Sequence, residues 1–419
     1  MEILRLSLTP FCNNHAGLKI TTMLIQRAYK AELSPSQDQR LDFARHCGTA
    51  RFAFNYALGR KIEHYKTTGK TLSYAAIDAD FNAKKKTEFQ WAYESSKCAH
   101  QNGIRDCEAA FANFFRGVKS GKKVGFPKFK SKHRCKAKYR VPGEAVTVEK
   151  YFIKLPKIGR VNFRRFGYVP TEGVKINSVT ISECAGRWFA SVQVEEEVAV
   201  TENQSDSIVG IDLGLKSFAV GSDGSRFESP RPLAKNLKKL RRLSRSLSRK
   251  KKGSNRRVKA KTRLAKLHFR IANQRADFIH KTSHFYASQY ATVCVEDLHV
   301  AGMLRNRCLS RAISDSGWSE FSRQIAYKAV WRGGRVIDVD QWYPSSKLCS
   351  VCDKKRDKMP LSVRTWTCEC GATHDRDENA SKNIENYGTA VVNAETDRKR
   401  SAPGEMPLGV VEPGTFEVV

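Results

Sequence analysis

The sequence predicts a multidomain α+β protein, and three observations support that fold class. Two short β-branched runs, Ile208–Asp212 and Val293–Glu296, are typical of buried parallel strands, and each ends in a carboxylate. Longer segments repeat apolar residues at helical spacing, and one region alternates apolar and polar residues. The chain has 419 residues. This is about two to four times an ordinary domain, so more than one core is expected.

The first part of the chain is expected to be largely helical. Residues 1–22 have no clear periodicity, so we expect a dispensable leader, and Met23 opens a strand-like run. Ser34-Pro35 is typical of a helix start. Apolar residues then recur at helical spacing, which predicts a lobe of helices over residues 34–120.

A basic segment with interleaved aromatic residues follows at Lys119–Arg140. It contains ten Lys or Arg and no acid, with Phe126 and Phe129 among them. Positive charge and aromatic rings in alternation suit phosphate contact and base stacking, so Lys128 and Lys130 are candidate nucleic-acid contacts. The alternative is an ordinary solvated loop.

Short alternating runs separated by Gly and Pro occupy residues 146–200 and are typical of a small β-barrel or sandwich. Glu195–Glu197 and Thr201–Asp206 are polar and acidic, so we expect a linker there. A domain boundary is therefore expected near residue 205, before the strand that carries Asp212.

The segment Lys235–Arg275 holds 18 Lys or Arg and no Asp or Glu. Apolar residues recur at helical spacing on both sides of Lys252–Asn255, which predicts a helical hairpin with one basic face. Such dense charge would repel itself in isolation, so we expect a nucleic-acid backbone to neutralise it. A merely solvated helix face is the alternative. The candidate contacts are Arg249, Lys250, Lys251, Lys252, Arg256, Arg257, Lys259 and Lys261.

The overall charge also indicates a polyanionic partner. Lys plus Arg number 75 against 42 Asp plus Glu, a formal net charge of +33. No run of about 18 apolar residues is present, and the first residues lack the pattern of a secretion signal, so no membrane partner is expected. We therefore expect a cytoplasmic protein that acts at the nucleoid. The sequence leaves its oligomeric state open.

Four of the 12 cysteines cluster and predict a metal site. Cys349-x-x-Cys352 and Cys368-x-Cys370 are separated by 15 residues, which suits a two-knuckle Cys₄ zinc site. The second knuckle has one intervening residue where two are usual, so His374 is an alternative ligand. A closed site of this kind stabilises a fold and performs no chemistry itself.

Three separated segments supply carboxylates that together suggest a divalent-metal nuclease site. Asp212 and Glu296 end the two apolar strands, and an open α/β sheet carries its chemistry beyond the carboxyl ends of such strands. The third segment, His374–Asp377, follows the cysteines and contains two carboxylates. Carboxylate oxygens suit a hard cation such as Mg²⁺.

The order and spacing of these motifs resemble the TnpB (OrfB) proteins of bacterial insertion sequences, which are relatives of the type V CRISPR effectors. The resemblance covers approximately Met23 to Ile384. It implies an RNase H-like (RuvC) nuclease that uses a guide RNA made from the transposon end to cut double-stranded target DNA beside a short transposon-adjacent motif. The matching segments are Gly210–Leu215, the basic hairpin, Val295–Leu298, Trp342–Lys347, the cysteine knuckles and His374–Ala380.

The resemblance also implies the catalytic residues. Asp212, Glu296 and Asp377 match the catalytic triad, and two Mg²⁺ ions held by them would activate a water and stabilise the leaving 3′ oxygen. Asp375 is the alternative third ligand. Asp377 is favoured because it begins an Asp-x-Asn-Ala pattern and precedes a predicted helix, Glu378–Tyr387. Asp375 is then expected to be a helix cap or a partner of a ligand.

By the same resemblance, the chain divides into a wedge-like β-barrel, a recognition lobe, a RuvC-like nuclease domain and a zinc-ribbon-like insert. In that order, the matching residues are 23–33 with 121–205, 34–120, 206–345 with 375–389, and 346–374. Residues 390–419 have Pro, Gly and scattered charge without periodicity, so we expect a disordered tail.

Two other functions remain compatible with the sequence. An RNA-guided DNA-binding protein without cleavage would be expected to lack a triad carboxylate, and all three are present. An RNase H-fold DNA transposase would also need a triad and Mg²⁺. It would need neither the zinc insert nor two segments suited to RNA, so RNA that copurifies with the protein would distinguish the two.

Overall fold

A computed structural model describes residues 8–9, 20–201, 207–360 and 362–401. The described residues form two compact units, the first from residue 24 to 197 and the second from residue 198 to 401, and residues 8–9 and 20–23 are grouped with the second of these. Most of the predicted leader, residues 1–22, lies outside the described residues. None of the helices in the described part of the chain is long and apolar enough to cross a membrane.

The first unit contains the predicted helices. Ser36 begins the first helix with a capping box, in which its side chain and that of Gln39 each accept a hydrogen bond from the other's backbone amide. The first and third long helices pack closely, and a Cβ atom at Gly103 would lie 2.4 Å from the Ala50 carbonyl oxygen. The helices are α1 (Gln37–Thr68), α2 (Tyr74–Lys85) and α3 (Lys97–Lys119), with a 3-10 turn at Gln90–Glu94.

The sheet of the first unit is open, so the predicted small β-barrel or sandwich does not appear as a closed barrel in the described residues. The strands are β1 (Leu8–Thr9), which is grouped with the second unit, β2 (Ile20–Ser34), β3 (Lys138–Pro142), β4 (Thr147–Val148), β5 (Phe152–Leu155), β6 (Gly159–Phe163), β7 (Val174–Cys184) and β8 (Arg187–Thr201). Their order is β3-β7-β8-β2-β6-β5-β4, with β1 beside β2, and no pairing among them joins β3 to β4. Helix α3 packs against β3 and protects this edge of the sheet. Asn102 Nδ2 of α3 donates a hydrogen bond to the Arg140 carbonyl of β3 at 3.1 Å.

The predicted acidic linker also needs a correction, because its first residues belong to β8. Glu196 pairs with Arg27 at 2.9 Å, and Glu195 accepts a hydrogen bond from Gln26 at 3.2 Å. Both partners lie on β2, so neighbouring side chains offset the acidic charge and the strand continues to Thr201.

The second unit is built on a mixed sheet of five strands. Its elements are β9 (Ile208–Asp212), β10 (Ser217–Gly221), β11 (Arg226–Glu228), α4 (Pro232–Ser248), α5 (Asn255–Gln289), β12 (Thr292–Glu296), α6 (Val300–Met303), α7 (Ser310–Ser316), α8 (Trp318–Val330), β13 (Arg335–Val339), β14 (Thr365–Thr367), β15 (Thr373–Asp375) and α9 (Arg376–Ser401). The strand order of the five-stranded sheet is β11-β10-β9-β12-β13. Strands β9, β12 and β13 are parallel to one another, and β10 is antiparallel to β9.

Helices cover both faces of this sheet. Val293 and Val295 of β12 belong to a core that includes Phe321 of α8. Cys294, which alternates with them, packs instead with Ile384 of α9. Strands buried on both faces read as continuous apolar runs, which is how β9 and β12 were predicted.

Helix α9 is much longer than predicted, and the prediction of a disordered tail is wrong for the first part of residues 390–419. It extends to Ser401, so residues 390–401 are helical. Arg335 of β13 pairs with Glu395 of α9 at 2.5 Å and ties this part of the helix to the sheet. The rest of the expected tail, residues 402–419, lies outside the described residues.

Candidate active site and metal centre

Asp212 and Glu296 end neighbouring parallel strands at the same edge of the sheet. Strands β9 and β12 pair in register with Ile211 opposite Val295, so the two carboxylates occupy the next positions along the strands. Such an edge, beyond the carboxyl ends of parallel strands, is where an open α/β sheet forms its sites.

Helix α9 crosses the sheet face that carries Asp212. Side chains two residues apart share a face of a strand, so Gly210 lies on that same face. A Cβ atom at Gly210 would lie 2.1 Å from the Ser381 carbonyl oxygen. Likewise, a Cβ atom at Gly388 would lie 2.0 Å from Cys294 Sγ. Glycine at these two positions therefore allows the helix to lie directly on the strands, with the start of α9 near the carboxylates.

Asp375 and Asp377 have different surroundings. Asp375 Oδ1 accepts hydrogen bonds from the backbone amides of Asp377 at 3.0 Å and Glu378 at 3.1 Å, so Asp375 caps α9. It also lies 3.5 Å from Arg226 Nη2. Asp377 instead accepts a hydrogen bond from Arg364 Nη1 at 3.3 Å and is close enough to Asp212 to raise its pKa. The helix begins at Arg376, two residues before its predicted start.

The electrostatics of Asp212 reflect a crowded cluster of acids. Burial raises the pKa of Asp212 well above its usual range, and the carboxylates of Glu296 and Asp377 raise it further. Arg376 and Arg364 act in the opposite direction. Burial also raises the pKa of Glu296. Oxygen donors that repel one another in this way form a set that a hard divalent cation would stabilise.

The four cysteines converge on one point. Their Sγ atoms lie within 4.8 Å of one another, and no other group of three or more His, Cys, Asp or Glu in the described residues is as tight, the acid cluster included. The sulfurs of Cys349 and Cys370 are 3.7 Å apart, and those of Cys352 and Cys368 are 3.6 Å apart. Metal–sulfur bonds of ~2.3 Å in a tetrahedron would give about 3.8 Å, so the cluster has the dimensions of a tetrahedral Cys₄ site.

The short second knuckle is accommodated by a tight turn. Gly371 has φ 87°, a left-handed conformation that favours glycine, and its amide donates to the Cys368 carbonyl at 2.9 Å. His374, the alternative ligand, lies outside the four-sulfur group, with Nε2 3.1 Å from Cys349 Sγ. Burial raises the pKa of Cys349, but the amides of Val351 and Cys352 and the His374 side chain outweigh it and lower this pKa to about 6. The thiolate form of Cys349 is therefore favoured. For Cys352, the Lys354 amide lowers the pKa, but hydrogen bonds with the other three cysteines outweigh it and raise this pKa to about 12.

The predicted basic hairpin is formed by α4 and α5. Most of its predicted contacts are exposed, among them Lys251, Lys252, Arg256, Lys259 and Lys261. Arg257 is different, because its Nη1 donates to the carbonyls of Leu247 at 2.8 Å and Lys250 at 3.0 Å. Arg257 therefore closes the C-terminus of α4 and is committed to the hairpin itself.

A groove of about 610 Å³ on α4 adds Lys238, Arg241, Arg242 and Arg245 to the basic residues that the sequence singled out. They lie three or four residues apart along the helix, so they share one face, and this spacing was the available signal. The lining residues are Lys238, Arg241, Arg242, Arg245, Ser246, Arg249 and Lys250.

The other predicted contacts, Lys128 and Lys130, differ from each other. Lys128 and the neighbouring Phe129 are exposed. Lys130 Nζ lies 3.5 Å from the centre of the Phe54 ring and 3.8 Å from Asp106 Oδ2, and burial lowers its pKa. The charge of Lys130 is therefore paired within the first unit, and Lys128 is the better candidate for a phosphate contact.

Family models match three parts of the chain. Residues 191–307 match the IS605 OrfB model, described as "Probable transposase", and residues 318–384 match the Cas12f1-like TNB domain. Residues 23–70 match a model described as a helix-turn-helix domain. In the structure, this last range contains strand β2 and the single long helix α1.

Curated relatives match over most of their length. A Streptomyces pristinaespiralis protein named "Putative RNA-guided DNA endonuclease" is 36% identical and covers 87% of this chain and 90% of the relative. This chain belongs to the OrfB (TnpB) family. A second member of the family, InsQ of Escherichia coli K12, carries the same descriptive name and is also 36% identical, with 87% of this chain and 93% of the relative covered.

The OrfB family assignment agrees with a solved structure. A Cas12f1–sgRNA–target DNA complex contains a chain that matches with a TM-score of 0.51 and 15% identity, covering 84% of this chain and 83% of that one. At this identity the likeness concerns the fold, a multidomain α+β arrangement.

Proposed function

We propose that this chain is a transposon-encoded, RNA-guided DNA endonuclease that cuts double-stranded target DNA beside a transposon-adjacent motif. The observation that carries the proposal is the cluster of Asp212, Glu296 and Asp377, in which two carboxylates end neighbouring parallel strands and the third begins the helix that crosses them. The curated relatives bear the name of the same activity.

Two metals fit the donor sets of the second unit. Asp212, Glu296 and Asp377 would hold Mg²⁺, because carboxylate oxygens are its usual protein ligands. Bound there, the ion would supply Lewis-acid activation of a water and stabilisation of the leaving 3′ oxygen. The four cysteines would hold Zn²⁺ as a structural ion, since all four sulfurs are protein ligands and no position is left for a substrate.

Each region of the chain would then have its own role in the nuclease. A RuvC-like nuclease domain would comprise residues 206–345 together with the helix from residue 376, interrupted by the zinc-ribbon-like insert at 346–374. The open sheet of the first unit would be the wedge, and helices α1 to α3 would form the recognition lobe.

The guide RNA is the partner proposed for the basic hairpin. The segment Lys235–Arg275 contains no Asp or Glu, and the groove on α4 is lined almost entirely by cations. Contacts to phosphates of this kind are independent of base sequence, as binding to an RNA scaffold requires.

Cleavage of a matched DNA in the presence of guide RNA tests the proposal. Protein purified with its RNA should cut a double-stranded target complementary to the guide in Mg²⁺, and Asp212→Ala should retain RNA and target binding without cutting. Sequencing of the copurified RNA identifies the guide. A protein without bound RNA that joins or excises transposon ends would instead favour the transposase alternative, and RNA-dependent binding without wild-type cleavage would favour the binding protein.

A further inference from the structure

The loop between β13 and the first cysteine of the metal cluster contains a buried serine that touches the acid cluster. Ser345 is 4% exposed, and its hydroxyl donates a hydrogen bond to Glu296 Oε1 at 2.5 Å. Glu296 is the last residue of β12. The hydroxyl occupies one oxygen of the carboxylate and leaves the second for another partner.

Helix α9 fixes the backbone on which Ser345 lies. Asn383 Nδ2 donates to the Ser345 carbonyl at 2.7 Å and to the Leu348 carbonyl at 2.9 Å. Asn379, one helical turn earlier, donates to the same Leu348 carbonyl at 2.6 Å and accepts from the Ser350 amide at 3.0 Å. Both asparagines are only 1% exposed. We call these bonds from Asn379 and Asn383 to the loop backbone the clamp. They do not involve the Ser345 hydroxyl, which donates to Glu296.

The clamp joins the acid cluster to the cysteine cluster. Cys349 lies between Leu348 and Ser350, the two residues that Asn379 holds. The same helix starts at the cap formed by Asp375 and carries Asp377 in its first turn. One helix therefore positions Asp377 directly, and Glu296 through the loop and Ser345.

We propose that Ser345 is a positioning residue for metal binding, which fixes the carboxylate of Glu296 in the orientation that the ion requires. This inference rests on the proposed function, since it takes Glu296 to be a metal ligand. Hydrogen bonds from a neighbour to a ligating carboxylate orient the ligand, and their loss typically costs about 10- to 100-fold in metal affinity or activity.

A purely structural role predicts a different outcome. The loop is held by bonds to the backbone carbonyls of Ser345 and Leu348, and these do not involve the serine hydroxyl. Ser345→Ala therefore keeps the clamp and removes only the bond to Glu296. Ser346→Ala is the matched control, because Ser346, which the structure also describes, has no hydrogen bond to Glu296.

Binding of Mn²⁺ to the zinc-loaded, RNA-free protein tests the role without requiring cleavage. We expect Ser345→Ala to bind Mn²⁺ about 10-fold more weakly by electron paramagnetic resonance titration, with an unchanged zinc content, and Ser346→Ala to match the wild type. In guided cleavage, the Mg²⁺ concentration for half-maximal rate should rise in parallel. Equal Mn²⁺ affinity in all three proteins would overturn the proposal, as would equal weakening in both variants. Because the titration contains no nucleic acid, a failure of guided cleavage in the wild type would not alter its outcome.

Discussion

At the scale of single residues, Asp212 is the acid of the site whose charged form is most strongly disfavoured by its surroundings. Its charge is opposed by burial and by the carboxylates of Glu296 and Asp377. Acids with strongly shifted pKa values concentrate at functional sites, where groups needed for binding reduce the stability of the fold. The same residue should therefore limit both the metal-free stability of the protein and its activity.

Asp212→Asn should stabilise the protein when no Mg²⁺ is added and the zinc is retained. The folded-state pKa of Asp212 is raised, so its contribution to stability is present below the unfolded pKa and is lost as the pH rises through the folded pKa. At pH 8 the neutral amide removes that cost, and we expect a gain of roughly 1 kcal/mol, about 2–4 °C in unfolding temperature. The gain should shrink towards pH 4. A lower unfolding temperature at pH 8 would contradict the assignment.

Alanine substitutions of Asp377 and Asp375 should reduce activity to different extents in parallel cleavage assays. Asp377→Ala removes a proposed metal ligand, so cutting should be abolished while target binding remains. Asp375→Ala removes the cap of α9, which typically costs about 1 kcal/mol, and should reduce cutting only by about 10- to 100-fold. An inactive Asp375→Ala beside an active Asp377→Ala would reverse the assignment.

At the scale of elements, the basic hairpin combines two kinds of cation. Arg257 is committed to closing α4, whereas its neighbours Arg256, Lys259 and Lys261 are exposed. Only the exposed residues are free to neutralise phosphates. Substitutions within one short segment should therefore have different consequences.

Replacing Arg256, Lys259 and Lys261 together by Gln should weaken RNA binding and flatten its salt dependence. Each lost phosphate contact lowers the slope of log affinity against log salt by roughly 0.7–0.9, so the triple variant should lose about two units. Lys281→Gln on the same helix is the control, because Lys281 already pairs with Asp277 at 2.8 Å. Arg257→Gln should lower the unfolding temperature instead. Slopes that remain equal to the wild-type value would indicate a solvated face without RNA.

The contact between α9 and β9 is the second element-scale feature that can be tested. Gly210→Ala introduces a Cβ atom 2.1 Å from the Ser381 carbonyl, so α9 must move. We expect a loss of about 1–3 kcal/mol in the free energy of unfolding by denaturant titration, together with reduced cleavage because Asp377 moves with the helix. Gly125→Ala, where a Cβ atom would have no neighbour within 4 Å, is the control. A wild-type response from Gly210→Ala would refute this packing argument.

At the scale of the second unit, the cysteine cluster and the acid cluster share one support. Cys349→Ser should lower the zinc content measured by elemental analysis and destabilise the insert. Because the loop that holds Cys349 also holds Ser345, we also expect a higher Mg²⁺ requirement for cleavage. Cys308→Ser, an exposed cysteine outside the cluster, is the control. Zinc-free wild-type protein with full activity would contradict the coupling.

Local patterns were sufficient for many features of this chain. The strands β9 and β12 could be predicted because strands buried on both faces need continuous apolar runs. The hairpin could be predicted because its leucines recur at helical spacing, and the cysteine spacing alone indicated a four-sulfur site. The family resemblance could be stated from the same motifs, and the comparisons confirm it.

Other features depended on contacts between residues far apart in the chain. Arg257 and Lys130 look like free cations in sequence, yet their partners are a helix end and Asp106. Arg335 pairs with Glu395 of α9, 60 residues away, and α3 donates a hydrogen bond to the outer strand β3. The roles of Ser345, Asn379 and Asn383 appear only when α9 lies on the sheet. The sequence by itself therefore determined the elements and the chemical types at the site, because these follow from local periodicity and spacing. The tertiary structure alone decided which charges stay free and which groups orient the ligands, because burial and pairing arise between distant segments.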